Sequence, residues 1–261
     1  MKAALAQTNI IWENKAENMK TASKMIAEAA RENCDFIVFP EVSLTGFTMN
    51  IDILAEDENN SPTLEFFKEE AEKNKIYITF GMALRKADGK VYNEAVTLND
   101  NGEIISNYSK IHPFSHGVEA KFFSGGNKIE WFDLKGITVS PFVCYDVRFP
   151  EVFQIASVKS RLIFVIACWP DVRTFQWDAI VRARAIENQA FVVAVNRTGD
   201  EMKYTYGGHS QIISPRGEIL TELQSEEALI TAEFDITEAD IYRREFNLKA
   251  DRRPDFYKQF W

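Results

Sequence analysis

The run from Leu162 to Cys168, LIFVIAC, has no polar side chain on either face of a strand. Side chains alternate across a strand, so a run that is apolar at every position must be covered on both sides. Phe191 to Val195 (FVVAV) has the same character, and Phe36 to Phe39 (FIVF) is a shorter case. Between such runs lie stretches with apolar residues at helical spacing: Asn14 to Arg31, Ser61 to Lys73 and Thr174 to Gln189. Doubly buried strands alternating with helices predict an α/β chain whose sheets are covered by helices.

In chain order the pattern reads β-α-β-α-β-β-β, then β-α-β-α-β-β-β-α. Asn14, Ser61 and Thr237 are candidate helix caps, and Ser61-Pro62 with Glu65 resembles a capping box. Asn99 to Gly102 contains Asn-Gly between two alternating runs, the strongest short hairpin signal. Val42 to Asn60 has no regular period and reads as a long loop. The two similar halves have no low-complexity joint, which predicts one domain over residues 1–261. The tail from Leu248 is charged but ends in Phe256, Tyr257, Phe260 and Trp261. It is expected either to fold back on its own domain or to pack on a second subunit.

Charge narrows the function. The formal net charge is −9, which argues against nucleic-acid backbones as partners and leaves a small-molecule substrate. The N-terminus turns polar too soon for a signal peptide, and no apolar run reaches membrane-span length, so no membrane partner is expected. Three cysteines, Cys34, Cys144 and Cys168, with no CxxC pattern, suit a reducing cytoplasm. Of the three histidines, His112 and His116 are four apart, but Pro113 and Gly117 break any helix that would set both on one metal. No metal or other cofactor is expected.

Several strands end in chemically loaded residues. Ile137 to Val143 is strand-like, and its apolar character stops at Cys144. Tyr145, Asp146 and Arg148 follow, and Pro150 fits the first turn of a helix. A thiol at a helix N-terminus is placed where a thiolate and a nearby oxyanion are favoured. By itself, such a cysteine is more often a small core residue. Asp35 to Phe39 runs into Pro40-Glu41, the second hairpin strand delivers Lys110, and Glu119 lies in the loop beyond. Singly, each has an ordinary reading as a surface or strand-end charge. Together they supply a thiol nucleophile, a carboxylate base and a cation at a developing oxyanion, the parts of covalent amide chemistry.

With these residues in view, the chain resembles the nitrilase superfamily of carbon–nitrogen hydrolases. The matching stretches are Phe39-Pro40-Glu41, Tyr108 to His112, Val143 to Glu151, Arg182 to Gln189, and Gly208-His209-Ser210 with the Pro215-x-Gly217 turn. They run in family order along nearly the whole chain. Within the superfamily, the run from Cys144 to Pro150, Trp169-Pro170 with Arg173 and Trp177, and the tail look most like the Nit-type ω-amidase branch. The resemblance implies a four-layer α-β-β-α sandwich with two mixed sheets, usually paired as a homodimer. It implies Glu41 as base, Lys110 as oxyanion stabiliser, Cys144 as nucleophile, the Tyr145 backbone N–H as a second oxyanion donor, and Glu119 beside the triad.

An ω-amidase substrate such as 2-oxoglutaramate carries a carboxylate remote from its amide, and an arginine should meet it. Arg148, Arg173 and Arg197 are the candidates. Arg148 has an alternative as a salt-bridge partner of Glu151 or Asp146, so Arg173 is preferred. Trp169 and Phe114, with Phe122 and Phe123, are candidate apolar wall residues, and Asn196 at a strand end completes the set. The alternatives are an amidase for deaminated glutathione or an N-carbamoyl compound, and a catalytically silent binding or assembly subunit.

Overall fold

The computed structural model describes residues 1–202 and 204–260. In the first half, β1 (Lys2–Gln7), β2 (Phe36–Val38), β3 (Glu56–Asp57), β4 (Tyr77–Arg85), β5 (Val91–Leu98) and β6 (Ile104–Ser109) alternate with α1 (Lys15–Arg31), α2 (Ile51–Leu54) and α3 (Pro62–Asn74). The second half has β7 (Phe132–Leu134), β8 (Ile137–Val143), β9 (Leu162–Ala167), β10 (Phe191–Asn196), β11 (Thr198–Glu201), β12 (Tyr204–Gly207), β13 (Gln211–Ile213) and β14 (Ala228–Glu233). Its helices are α4 (Pro150–Ala156), α5 (Thr174–Asn188), α6 (Thr237–Glu245) and α7 (Pro254–Tyr257).

Among the described residues, one sheet runs β14-β1-β2-β4-β5-β6, with β3 beside β4, and the other runs β13-β10-β9-β8-β7. Both are mixed: β1, β2 and β4 are mutually parallel, as are β8, β9 and β10, and antiparallel strands flank them. The sheets pack face to face through a core that joins Leu5, Val38 and Tyr108 of one to Phe142, Phe164 and Val193 of the other. Helices α1 and α3 cover the outer face of the first sheet through Ile26 and Phe67, the latter stacked on Phe80 of β4 at 3.9 Å. On the second sheet, α5 buries Trp177, Val181 and Ala185. This is the expected four-layer α-β-β-α arrangement. Every residue of β9 and β10 is buried, as their unbroken apolar character requires.

The element order holds, with four local differences. Val42 to Asn60 is not all loop but contains α2 and β3. Ser61 caps α3 by accepting the Leu64 N–H at 3.1 Å, yet Glu65 lies one position beyond the box and pairs with Lys68 instead. The Glu56 carboxylate adds a second cap by accepting the Thr63 N–H, in the first turn of α3, at 2.9 Å. Thr237 is the first residue of α6, and Asp235 accepts its N–H at 2.9 Å. The strand that Tyr204 to Pro215 predicts divides in two: β12 forms a separate ribbon with β11, and β13 joins the second sheet. Trp261 lies outside the described residues.

Candidate active site

Glu41 follows β2, Lys110 follows β6, Cys144 follows β8, and Cys168 with Trp169 follows β9. Because β5 is antiparallel to both its neighbours, β6 points the same way as β2 and β4. The loaded residues therefore meet at the carboxyl ends of strands from both sheets, the usual place for a site in such architectures.

Lys110 is 1% exposed, and Glu41 and Glu119 are fully buried beside it. Its ammonium donates to Glu41 Oε1 at 2.8 Å and to the two Glu119 oxygens at 3.0 and 2.9 Å. Burial alone pushes this ammonium down; Glu41 and Glu119 outweigh it and hold Lys110 well above the ordinary lysine range, fully charged. The remaining lone pairs are also used. Glu41 Oε2 accepts the Cys168 N–H at 2.8 Å, and Glu119 Oε2 accepts the Phe114 N–H at 2.6 Å. Asn93, in β5, donates its amide to Glu41 at 2.7 Å and to Glu119 at 2.9 Å. Two carboxylates fix the orientation of that amide, since its oxygen in the same place would face both. Buried charges persist only when paired and hydrogen-bonded in this way.

The backbone is strained on both sides of the gap. Cys144 has φ +47°, and Val42, directly after Glu41, has φ +42°. Non-glycine residues in this region mark turns that the surroundings enforce. At Gly81 in β4, a Cβ would lie 2.4 Å from the Val42 nitrogen and 2.7 Å from the Glu41 Cα, so only glycine lets the strand support the Glu41 turn. Cys144 opens a short turn, Cys144–Arg148, before α4. The expected thiolate-favouring helix terminus does not dominate there. Burial, then the Glu41 carboxylate, push the Cys144 thiol well above its ordinary value against the opposing pull of Lys110. The resting group is a neutral thiol beside a carboxylate, with a fixed cation close by.

Asp146 proves central. In sequence it reads as a salt-bridge partner for Arg148, but it is fully buried and points the other way. It accepts the Tyr108 hydroxyl at 2.8 Å, the His112 N–H at 2.9 Å and the Val143 N–H at 3.2 Å, and lies 2.8 Å from His112 Nδ1. Tyr108 and His112 bracket Lys110; Val143 and Asp146 bracket the nucleophile turn. One carboxylate thus ties the two segments together. His112 also stacks on Phe149 at 3.7 Å.

A cavity of about 1020 Å³ opens over Cys144 and Lys110. Tyr145, Phe114, Arg148, Trp169 and Arg173 are among the residues that line it. The Arg148 guanidinium lies 4.7 Å from the Trp169 ring centre and donates to Gln176, and Arg173 lies 5.7 Å from that of Phe114. Among the described residues, neither arginine has a carboxylate partner. Asn196 does not line the cavity: its amide is spent on the Trp169 N–H at 2.7 Å, the Trp169 carbonyl and the Gly208 carbonyl, so it positions Trp169 rather than facing a substrate. Arg197 is also removed from the candidates, being fully buried against Glu201 and the Ile10 carbonyl. Phe122 and Phe123 lie outside the lining; Phe123 packs with Ala83 and Val91. Asn93 and Gly81 carry no signal in the sequence that marks them for the site.

Residues 2–244 match the family model for carbon-nitrogen hydrolase. The chain is 35% identical to 2-oxoglutaramate amidase from Bacillus subtilis, over 96% of this chain and 97% of that protein. It is 33% identical to 2-oxoglutaramate amidase from Paenarthrobacter nicotinovorans, over 85% of this chain and 80% of the other. Among solved structures, a CN-hydrolase superfamily protein from Xanthomonas campestris with an arsenic adduct in its active site superposes with a TM-score of 0.91 at 28% identity, covering 97% of each chain. Nit3 of Saccharomyces cerevisiae, a nitrilase superfamily member, gives a TM-score of 0.89 at 26% identity, covering 97% of this chain and 96% of that one.

Proposed function

The chain belongs to the carbon–nitrogen hydrolase family, and on that footing we propose that it hydrolyses the amide of a small carboxylated substrate of the 2-oxoglutaramate type through a thioester on Cys144. The observation that carries this reading is the Lys110 ammonium, held between buried Glu41 and Glu119 at the floor of the cavity that Cys144 lines. Glu41 takes the thiol proton as Cys144 Sγ attacks the amide carbon. Lys110 and the Tyr145 N–H stabilise the oxyanion, commonly the largest catalytic contribution. Glu41 returns the proton to the nitrogen, ammonia leaves, and water oriented by Glu41 or Glu119 hydrolyses the thioester. Arg173 and Arg148 meet the remote carboxylate, because both line the cavity and neither has a carboxylate partner among the described residues.

Three further parts belong to this reading. Residues 1–261 form one domain, supported by β14, which returns from the far end of the chain to pair with β1. The tail from Leu248 packs on a second copy in a homodimer; Phe256, Tyr257 and Phe260 are 42%, 41% and 73% exposed on the single chain. The protein works in the cytoplasm, where its three unpaired thiols persist. Among the described residues, no helix is long and apolar enough to cross a membrane.

The decisive assay follows ammonia release from 2-oxoglutaramate, 2-oxosuccinamate and N-carbamoyl substrates, and 2-oxoglutarate release from deaminated glutathione, whose amide nitrogen leaves as an amine. We expect turnover of the first two and an acyl adduct on Cys144 by mass spectrometry. Absence of both product and adduct across the panel would leave the silent-subunit reading standing. Retained turnover in Cys144→Ala would remove the nucleophile assignment.

A further inference from the structure

The cavity is much larger than a five-carbon amide needs. At about 1020 Å³ it matches the upper end of sites that enclose drug-sized ligands. Its lining divides into two walls. One is cationic and aromatic: Arg148 lies over Trp169, the Trp169 indole donates to the Arg173 carbonyl at 2.9 Å, Arg173 lies over Phe114, and Phe114 meets Tyr145 at 5.0 Å. The proposed reaction uses that wall for the acid end of the substrate. The other is built by Trp12, Phe47, Met49, Met202 and Tyr206, which come from the segments after β1 and β2 and from the β11–β12 ribbon. Nothing in the proposed reaction uses them.

Among the described residues, the second wall carries no unpaired charge. Glu201, which also lines the cavity, is neutralised by Arg197 and accepts the Tyr206 hydroxyl at 3.2 Å. The wall also adjoins the base. Val42, next to Glu41, packs with Cys168, Tyr206 and Phe47, and Cys168 holds Glu41 through both its N–H and its thiol. Glu41 is the group that protonates the departing nitrogen, so that nitrogen must turn toward this side. Met202, at the ribbon tip, is 85% exposed and extends the apolar surface to the cavity mouth.

We infer that this second wall is a subsite for an apolar substituent on the leaving nitrogen, so that the enzyme cleaves secondary amides of aliphatic or aromatic amines as well as primary amides. The inference rests on the proposed function. The step balances as before. The thiol proton of Cys144 passes through Glu41 to the nitrogen, the C–N bond breaks as the C–S bond forms, and the amine leaves in place of ammonia. Water then converts the thioester to carboxylate and restores the thiol.

The test compares 2-oxoglutaramate with its N-methyl and N-benzyl derivatives, following 2-oxoglutarate release. Cleavage of both secondary amides is expected, with kcat/KM at least about tenfold higher for N-benzyl than for N-methyl, as apolar contact in a pocket gives. Met202→Asn, at an exposed position whose φ of +50° asparagine tolerates, should bring that ratio toward one. Trp12→Gln, on the segment after β1, should do the same. Primary amide turnover with neither secondary amide cleaved overturns the subsite and leaves the proposed function intact. A ratio that survives both variants overturns its assignment to this wall. No turnover of any of the three amides counts against the proposed function itself.

Discussion

The Asp146 carboxylate accepts the Tyr108 hydroxyl at 2.8 Å, and through that contact the turn of Cys144 is tied to the strand that delivers Lys110. Tyr108 belongs to β6 of the first sheet and Asp146 to the turn that follows β8 of the second, so the spacing between nucleophile and cation depends on a side-chain bond and not on a shared backbone. Replacing Asp146 with Asn keeps the volume but removes the charge and one acceptor. We expect kcat to fall about 10²-fold, the usual cost of small misplacement, with KM changed much less. A KM effect alone, with kcat preserved, would contradict a positioning role.

Asn93→Asp would set a third carboxylate beside Lys110. Repulsion and burial raise the folded-state pKa of that new group above its unfolded value. Its protonated form is the one the fold accepts, so the variant's stability is intact below the unfolded aspartate range and is lost as pH rises through the folded value. Urea midpoints measured from pH 4 to 8 should diverge increasingly from those of the parent protein. Parallel curves would show that Asn93 is not electrostatically coupled to Glu41 and Glu119.

Arg173→Ala should weaken kcat/KM for carboxylated amides by about 10–100-fold, the worth of a charged hydrogen bond, while neutral short amides change little. Arg148→Ala should act in the same direction and also loosen Trp169, on which it stacks. Equal losses on neutral and carboxylated amides would show that neither arginine reads the carboxylate.

Lys249, at the start of the tail, is pushed down to about 7 by burial and then by the neighbouring Arg243 and Arg252. The unfolded chain binds this proton more tightly than the folded one. Stability from this site is therefore fully present above the ordinary lysine range and is lost as pH falls toward 7. Proteolysis of the tail should slow between pH 7 and 10, and Lys249→Met should flatten that dependence. Identical pH profiles for both proteins would disprove the linkage.

Removing residues 248–261 tests the dimer. We expect the solution mass of the shortened protein to be half that of the full chain, because exposed Phe256, Tyr257 and Phe260 would no longer bridge two copies. An unchanged mass assigns the tail to its own domain.

Sequence alone determined the local facts. Doubly apolar runs such as Leu162 to Cys168 had to become buried strands, because no face of them can meet water. Strand ends at Glu41, Lys110 and Cys144 were visible as points where apolar character stops. Other facts depend on partners distant in the chain. Asn93 looks like any strand residue until β5 sets its amide between two carboxylates. Asp146 and Arg148, two positions apart in one short turn, face opposite ways, one into the core and one over Trp169. Asn196 and Arg197 end a strand like the catalytic candidates, but backbone carbonyls and Glu201 claim them. β14 completes the first sheet from the far end of the chain. The thiol of Cys144 is governed by burial and by Glu41, not by the helix that follows it. Such outcomes are set by which charges and backbone groups share a dry interior, and only the tertiary fold decides that.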